Sequence, residues 1–443
     1  MTRRGARSAS DVSRRFAGAL DWLYGFADAE RGIGWNPRSS PSLGWNLRRT
    51  RILLDLAGGP DRRMAIVLVA GTKGKGSTAA LLASILSASG ARTGLYTKPH
   101  LQSYRERIRV DGEAVGEAAF ADAVESFKPR VEALRGLVPA AGQPTTFELT
   151  TAVAFLHFSA LGCTTAVVEV GLGGRLDATN ATDPHVSVIA PISHDHMREL
   201  GTRLDQIARE KAGVIRPGRV VVVAAQRPTV AATIRAESLR VGSELRVARA
   251  LSPAEGKRLG LMLRGPHQLQ NAALAITAAR ALSEHGVVTV DDSHLVRGVS
   301  RVRWPGRFEV LPGPPQIVLD GAHNDGSAEA LAVALRQEFR GRPIRLIVGM
   351  LRGKDAGAFA RATAPLTRHV YVTAAQATRA LPAEVLARSY RRARVFSALA
   401  DALASARAEA GARDVICITG SLALVGEARD LLGLPFPARL WDG

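Results

Sequence analysis

The stretch from Met64 to Ser89 constrains the fold of this chain more than any other. It begins with a continuous apolar run, Met64 to Ala70, of the kind that a fully buried parallel strand requires. The glycine-rich turn GTKGKGS at 71–77 ends this run, and an Ala/Leu/Ile/Ser segment with helical spacing follows. Strand, glycine-rich turn and helix in this order predict a phosphate-binding loop. The glycines let the backbone approach an anion, and the helix N-terminus offers unpaired N–H groups.

The candidate nucleotide contacts in this turn are Gly74, Lys75, Gly76 and Ser77. Lys75 would place a cation near the outer phosphates, and Ser77 a hydroxyl. The turn departs from the general Walker pattern because Gly76 occupies the position where Ser or Thr usually follows the lysine. The alternative is a glycine-rich turn that binds nothing, which the lysines and the serine packed into this turn disfavour. We therefore predict a site for the phosphates of a nucleotide.

Composition excludes several classes of protein. At 443 residues, 46% apolar and 22% charged, the chain is expected to fold into more than one packed domain. Its two cysteines, Cys163 and Cys417, cannot form a disulfide framework, which favours the cytoplasm. Its apolar runs are too short to span a bilayer. The arginine-rich N-terminus through Phe16 lacks the apolar core of a signal peptide and is predicted to be a mobile tail.

The net charge of +19 raises the question of nucleic acid. The excess comes from arginines scattered along the chain, without a basic stripe or aromatic residues interleaved with basic ones. The charge therefore favours anionic small molecules as partners, and neither nucleic acid nor a membrane.

Apolar runs alternate with helical segments along most of the chain, which predicts parallel α/β sheets. Besides the first strand, the predicted strands of a first, doubly wound sheet are 93–97, 166–170, 186–190 and 219–225. A Pro/Gly-rich segment near residue 300 precedes a second alternating set, whose predicted strands are 316–320, 344–349, 369–373 and 414–419. We predict three parts: a partly mobile N-terminal extension (1–45), a P-loop-containing ATPase domain (46–299) and a smaller Rossmann-like α/β domain (300–443).

Polar residues follow several strands of the first predicted sheet. Glu169 ends one strand, and Asp195 and His196 follow the next. In parallel sheets ligands bind at the carboxyl ends of the strands, so we expect these side chains beside the phosphate loop. Glu169 and His196 there would suit Mg²⁺. The alternative for His196 is a hydrogen-bonded loop histidine, and for Lys211, within AREKAG at 208–213, an ordinary lysine on a helix surface.

A longer set of motifs occurs in one order from about residue 45 to the C-terminus. These are GTKGKGS (71–77), KPHLxxxxERI (98–108), TFE (146–148), EVGLGGRLDATN (169–180), DHMRELG (195–201), IAREKAG (207–213), PGR (305–307), LDGAHN (319–324) and GSLALVGE (420–427). The set resembles the folylpolyglutamate synthase/dihydrofolate synthase branch of the Mur ligase family.

The resemblance implies an ATP-dependent amide ligase that adds L-glutamate to a folate or dihydropteroate carboxylate through an acyl phosphate. It implies ATP, two Mg²⁺ sites and, as a further candidate, a monovalent cation, in a monomer. The second domain would bind glutamate. Lys211 matches a lysine that the family carbamylates into a metal ligand, and Lys75, His196 and Lys211 would carry the chemistry.

The resemblance also assigns substrate contacts. ATP contacts beyond the phosphate loop would be Asn271, Arg307 and Asp320. The residues for the pteroate group would be Thr146, Phe147, Glu148, Leu176, Asp177 and Ala178. The residues for the incoming glutamate would be Arg107, His323 and Ser421.

Lys98 departs from the family pattern, which has a magnesium-binding serine at this position. A protonated ammonium cannot ligate a metal. We predict that the Lys98 side chain points into the ATP site, with Glu169 as its partner. The departure leaves two alternatives open: a Mur-type ligase that acts on another carboxylate, and a non-catalytic nucleotide-binding relative.

Overall fold

The computed structural model describes residues 9–28, 30–31, 43–139 and 142–441. The described residues from 9 to 300 build one sheet with flanking helices. Its strands are β1 (Ala65–Ala70), β2 (Thr93–Tyr96), β3 (Ile108–Val110), β4 (Glu113–Ala114), β5 (Thr165–Glu169), β6 (Val186–Ile189), β7 (Val220–Ala224) and β8 (Glu244–Ala248). Its helices are α1 (Ala9–Tyr24), α2 (Leu43–Leu56), α3 (Lys75–Ala88), α4 (Glu117–Leu137), α5 (Thr146–Ala160), α6 (Met197–Leu200), α7 (Leu204–Ala212), α8 (Pro228–Val241), α9 (Pro253–Arg258), α10 (Pro266–Glu284) and α11 (Asp292–Ser300).

The first sheet has the strand order β4-β3-β2-β5-β1-β6-β7-β8. The central pairs are parallel, while β3 pairs antiparallel with both β2 and β4. Helices α3 and α10 cover one face, and α5 packs on the other, so both faces are buried. The predicted doubly wound sheet is confirmed.

Register aligns the carboxyl ends of the central strands. Glu169 at the end of β5 lies opposite Val69 of β1, and Ala70 lies opposite Ile189 of β6. On the other side of β5, Tyr96 of β2 lies opposite Val168. The segments that leave β1, β2, β5 and β6 therefore emerge at one edge of the sheet.

A second, smaller sheet follows. Its strands are β9 (Glu309–Leu311), β10 (Gln316–Asp320), β11 (Ile344–Val348), β12 (His369–Val372), β13 (Ala393–Val395) and β14 (Val415–Thr419), in the order β13-β12-β11-β14-β10-β9. Its helices are α12 (Asp325–Glu338), α13 (Ala356–Thr363), α14 (Ala383–Ala387), α15 (Leu399–Glu409) and α16 (Leu422–Leu431). Only the edge strand β9 is antiparallel to its neighbour, and apolar clusters fill both faces. The predicted second α/β unit is confirmed.

The start of the chain differs from the predicted mobile tail. Residues 9–16 form the first half of α1, which packs on α4. The rings of Phe16 and Phe120 meet edge to face at 5.4 Å, and Arg15 pairs with Asp122 at 2.7 Å. The arginine-rich composition concealed an amphipathic helix. Residues 1–8 of the predicted tail lie outside the described residues.

The end of the chain returns to the first sheet. Trp441 and Leu440 are buried in the core around α3 and α10. The Leu440 carbonyl accepts a hydrogen bond from the Arg303 N–H at 2.8 Å, and the Ala438 carbonyl accepts one from the Ala114 N–H at 2.8 Å. Buried Arg109 donates to the carbonyl of Pro437 at 2.8 Å. We call residues 435–441 the C-terminal strap.

Among the helices within the described ranges, none is long and apolar enough to cross a membrane.

Candidate active site at the edge of the first sheet

The phosphate loop is shaped by one glycine. Gly74 has φ of +79°, a conformation that favours glycine, and a Cβ atom there would lie 2.2 Å from Oδ1 of Asn271. Helix α3 starts at the next residue, Lys75, so its first N–H groups face the loop. Asn271, on α10, is thus placed against the loop, and these two predicted ATP contacts lie together.

Lys75 and Glu169 face each other across this loop. Lys75 Nζ lies 4.0 Å from a carboxylate oxygen of Glu169, which is 5% exposed. The backbone N–H of Lys98 donates to the other oxygen at 3.2 Å. Burial raises the pKa of Glu169 and lowers the pKa of Lys75, because each charged form is removed from water. Glu169 and Lys75 therefore place two charges at the phosphate loop, each of which a bound ion of opposite charge would stabilise.

The departure from the Walker pattern has a steric reason. A Cβ atom at Gly76 would lie 3.2 Å from the Trp304 ring and 3.3 Å from the Glu169 carboxylate. A serine or threonine at this position would therefore crowd the carboxylate. Ser77, the next residue, is buried on the first turn of α3 and carries a hydroxyl there.

Lys211 is not a surface lysine. It is 5% exposed, and its Nζ donates to the carbonyl of Gly71, at the start of the phosphate loop, at 2.8 Å. Burial, followed by repulsion from Lys75, lowers the pKa of Lys211 to about 7. A substantial fraction of this amine is therefore unprotonated near neutral pH, which is the form that reacts with electrophiles.

His196 stands at the start of α6 in a left-handed conformation, with φ of +50°. Its ring nitrogens lie 3.9 Å from the carboxylates of Asp195 and Glu199. The His196 side chain is 48% exposed, and its partial burial lowers its pKa, so the ring is mainly neutral near pH 7. A neutral imidazole retains a lone pair for a metal or a hydrogen bond.

Asp195 connects the two α/β units. Its carboxylate accepts hydrogen bonds from Lys354 Nζ at 2.9 Å and from the Asn324 amide at 3.1 Å, both from the second unit. Burial alone would raise the pKa of Asp195, but Lys354 holds it well below its usual range. This ion pair ties the segment that carries His196 to the second sheet.

The residues fit Mg²⁺ as a partner of phosphate. Within residues 9–28, 30–31, 43–139 and 142–441, no three His, Cys, Asp or Glu side chains are grouped to hold a metal by themselves. Mg²⁺ commonly takes one or two carboxylates and completes its coordination with water and substrate phosphate. The buried Glu169 carboxylate beside the phosphate loop is such a donor.

The second unit brings its predicted ATP contacts together. Asp320, at the end of β10, accepts hydrogen bonds from the N–H groups of Phe308 at 2.8 Å and Ala322 at 2.9 Å. A Cβ atom at Gly321 would lie 2.6 Å from Nη1 of Arg307, so the guanidinium packs against this turn. Burial raises the pKa of Asp320 and the charge of Arg307 opposes that rise.

Two of the predicted glutamate contacts, His323 and Ser421, lie on adjoining turns of the second unit, where the Gly420 N–H donates to the Ala322 carbonyl at 3.0 Å, and the third lies in the first unit. His323 follows β10, and its Nδ1 lies 2.8 Å from the Gly321 carbonyl. Ser421 is buried, and its hydroxyl caps α16 by accepting from the Leu424 N–H at 3.1 Å. Arg107 belongs to the first unit and pairs with Glu30 at 2.6 Å.

His323 predicts a pH effect on stability. Burial, and then the charge of Lys354, lower its pKa from 6.5 to about 4. Between these pH values the unfolded chain binds a proton that the folded chain does not, so stability falls as the pH drops through this window. We expect His323→Gln to remove on the order of 2 kcal/mol of that loss. Urea unfolding above and below the window measures it. An equal change in the exposed His369→Gln control would contradict this assignment.

The predicted pteroate residues divide into two groups. Phe147 and Asp177 both border Gly171, where a Cβ atom would lie 2.6 Å and 2.8 Å from them. Thr146 and Glu148 instead hold helices together: Glu148 forms two hydrogen bonds with Arg49, at 2.7 and 2.8 Å.

The Thr146 hydroxyl also joins two helices, because it donates to the Leu23 carbonyl of α1 at 2.9 Å. The remaining members of the predicted pteroate set lie in the segment after Gly171. Leu176 is partly buried, Ala178 is buried, and Asp177 caps the short helix that Ala178 begins. Phe147 and Asp177 are therefore the members of this set that adjoin Gly171.

The predicted partner of Lys98 is wrong. Its ammonium pairs with Glu30 at 3.2 Å, and only its backbone N–H contacts Glu169. Glu30 also pairs with Arg107, so one carboxylate joins two cations. The side chain of Lys98 lies 5.0 Å from the Phe147 ring, on the side of the predicted pteroate residues.

Three side chains of this region were not predicted from the sequence. Glu30 sits alone in a polar loop, Lys354 follows β11 in a turn, and Trp304 precedes PGR. None has a periodic pattern, because each acts through contacts between distant segments. The tryptophan beside PGR, a large aromatic residue in a Pro/Gly turn, is the one signal that was available.

Comparison with known proteins places the chain in a family. Residues 69–279 match the Mur ligase middle domain, and residues 306–422 match the Mur ligase glutamate ligase domain. Dihydrofolate synthase/folylpolyglutamate synthase of Bacillus subtilis is 32% identical over 420 residues, which cover 88% of this chain and 95% of that protein.

Solved structures agree. Mycobacterium tuberculosis folylpolyglutamate synthase complexed with ADP superposes with a TM-score of 0.85 at 31% identity, covering 96% of this chain and 99% of that one. Escherichia coli FolC in complex with DHPP and ADP gives 0.82 at 28% identity, over 94% and 97%. The resemblance seen in the motifs thus extends through both α/β units, and the chain belongs to the folylpolyglutamate synthase/dihydrofolate synthase branch of the Mur ligase family.

Proposed function

We propose that this chain is an ATP-dependent ligase that joins L-glutamate to the carboxylate of a folate or of dihydropteroate. The observation that carries the proposal is the cluster of Lys75, Glu169 and Lys211 around the phosphate loop. Arg307 and Asp320 of the second unit, the predicted ATP contacts, supply a second set of charged groups. The relatives named as folylpolyglutamate and dihydrofolate synthases support the choice of substrates.

The reaction has two displacements. The acceptor carboxylate attacks the γ-phosphorus of ATP, the bond from that phosphorus to the β–γ bridging oxygen breaks, and ADP leaves. The glutamate amine then attacks the acyl carbon, loses a proton, and expels inorganic phosphate as the amide forms. Lys75, whose side chain is 18% exposed, stabilises the charge that develops on the phosphate oxygens, an electrostatic effect that its partial removal from water strengthens.

Glu169, with His196 and carbamylated Lys211, is the proposed ligand set for Mg²⁺, which supplies charge neutralisation to the phosphates when bound. Asn271 and the N-terminus of α3 position the phosphate chain. Phe147 and Asp177 would face the pteroate group, and His323 and Ser421 the incoming glutamate. The Asp195–Lys354 ion pair holds the two units together around the reacting groups, which limits the access of water.

A phosphate-release assay tests the proposal. The purified chain is expected to release phosphate only when ATP, L-glutamate and an acceptor are all present. Dihydropteroate and tetrahydrofolate, supplied separately, distinguish addition of the first glutamate from later additions. Mass spectrometry should show an acceptor heavier by one glutamyl residue. Phosphate release that does not depend on the acceptor or on glutamate would refute the ligase assignment.

The proposal extends to the setting of the enzyme. We take it to act as a monomer in the cytoplasm on small molecules, without nucleic acid. The scattered arginines and the absence of a disulfide framework support this setting. Light scattering of the purified chain tests the oligomeric state.

A further inference from the structure

One carboxylate of this chain occupies a site built from two cations. Glu30 accepts hydrogen bonds from Arg107 at 2.6 and 3.3 Å, and its Oε1 lies 3.2 Å from Lys98 Nζ. Two-point binding by a guanidinium with a further ammonium is the geometry with which proteins bind carboxylates.

The cations are fixed more firmly than the carboxylate. Arg107 is 8% exposed at its side chain, whereas Glu30 is 30% exposed. Arg107 also donates to His100 at 3.0 Å and lies 4.4 Å above the Tyr104 ring. Glu30 comes from a loop, where its N–H donates to the Asp28 carboxylate at 2.8 Å. Of the three side chains, the Glu30 carboxylate is therefore the most exposed to solvent.

The single negative charge of Glu30 does not balance the two positive charges of Arg107 and Lys98. Burial alone would raise the pKa of Glu30, but the charges of Arg107 and Lys98 hold it well below its usual range. Glu30 is thus ionised at neutral pH, and one carboxylate faces two cations. A different carboxylate in the position of Glu30 would be attracted by the same two cations.

Lys98 links the site of Glu30 to the phosphate loop. The backbone N–H of Lys98 contacts Glu169, which faces Lys75 of the phosphate loop. The ammonium of Lys98 lies 5.0 Å from the Phe147 ring. Lys98 therefore connects the phosphate loop with the proposed pteroate residues, where the acceptor carboxylate must come close to ATP and the glutamate amine must follow.

We propose that Lys98 and Arg107 form a carboxylate-binding subsite, and that Glu30 is an internal occupant which a substrate carboxylate displaces. The inference rests on the proposed function, since the acceptor and L-glutamate both carry carboxylates. It gives Lys98 a role in substrate binding. It also makes the loop at Glu30 a competitor that lowers the apparent affinity for substrate.

Glu30→Gln tests this inference through binding. Calorimetric titration with tetrahydrofolate, and separately with L-glutamate, is done with a non-hydrolysable ATP analogue present, so no turnover is needed. If Glu30 fills the subsite nine-tenths of the time, Kd for the substrate that binds there should fall about tenfold. The titration that responds identifies that substrate. Lys98→Met should raise Kd for the same substrate.

Asp122→Asn is the matched control, because it removes one negative charge from an exposed ion pair on α4. Its Kd values should equal those of the wild type. If Glu30→Gln does not fold, Glu30→Asp serves instead, since its shorter side chain should give a smaller fall in the same direction. Unchanged or weaker binding by a folded Glu30 variant would overturn the inference. In that case, continued ligation by the wild-type chain would leave the proposed function standing.

Discussion

Replacing Lys75 with alanine is expected to lower the rate of ATP-dependent ligation by a factor on the order of 10³. The ammonium is the cation of the phosphate loop, and it lies partly buried at 4.0 Å from the Glu169 carboxylate. Without it, the charge on the γ-phosphate oxygens in the transition state would lack its positioned counter-charge. Glu169 would also face the nucleotide unpaired. Both effects oppose the binding of phosphate.

The fold should survive this change. Burial already lowers the pKa of Lys75, which shows that the charged form is disfavoured in the absence of phosphate. Lys257→Ala, which removes an exposed lysine from α9, is the control and should retain wild-type turnover. Turnover and thermal midpoint are measured together for both variants. Near-normal ligation by Lys75→Ala would refute the phosphate-loop assignment.

Lys211→Ala is expected to lower ligation at least 10²-fold, and short carboxylates such as acetate should restore part of it. The pKa of about 7 leaves much of the amine neutral, so its nitrogen lone pair is free to attack CO₂. The nitrogen bonds to the carbon and releases a proton, and the product is a carbamate. A carboxylate-like group then stands beside the Gly71 carbonyl in place of an ammonium. Added acetate would supply the missing oxygens.

Two measurements separate this role from simple packing. Intact-protein mass spectrometry under bicarbonate should detect the added CO₂ on wild type and not on Lys211→Ala. Lys211→Met, which conserves volume without the amine, should be as inactive as the alanine variant but should not respond to acetate, because its side chain fills the space that acetate would occupy. If the methionine variant retains activity, the amine has no chemical role.

Much of the fold follows from local patterns. The apolar runs at 166–170 and 186–190 predict β5 and β6 closely. Such strands are buried on both faces, so their sequence has few alternatives. The edge strand β8 was missed because its residues alternate with exposed charges and form no apolar run. Short edge strands such as β13 lack a pattern for the same reason.

The site was predictable where it depends on strand ends. Once β1 and β5 are parallel neighbours, Glu169 must lie beside the phosphate loop. The partner of Lys98 was not predictable in this way. Glu30 reaches it from the loop after α1, and no local pattern encodes the course of that loop. The Lys98 backbone lies beside Glu169, but its long side chain extends to Glu30 instead.

The C-terminal strap has a consequence for synthesis of the protein on the ribosome. Leu440 and Trp441 fill part of the first sheet's core, although nearly the whole chain is translated before them. Proteins usually fold domain by domain as they emerge, with the N-terminal domain first. Here the first domain would wait with an incomplete core, and with Arg109 lacking the carbonyls of Pro437 and Ala438, until residues 435–441 are translated. Termination before residue 435 would thus damage the domain made first.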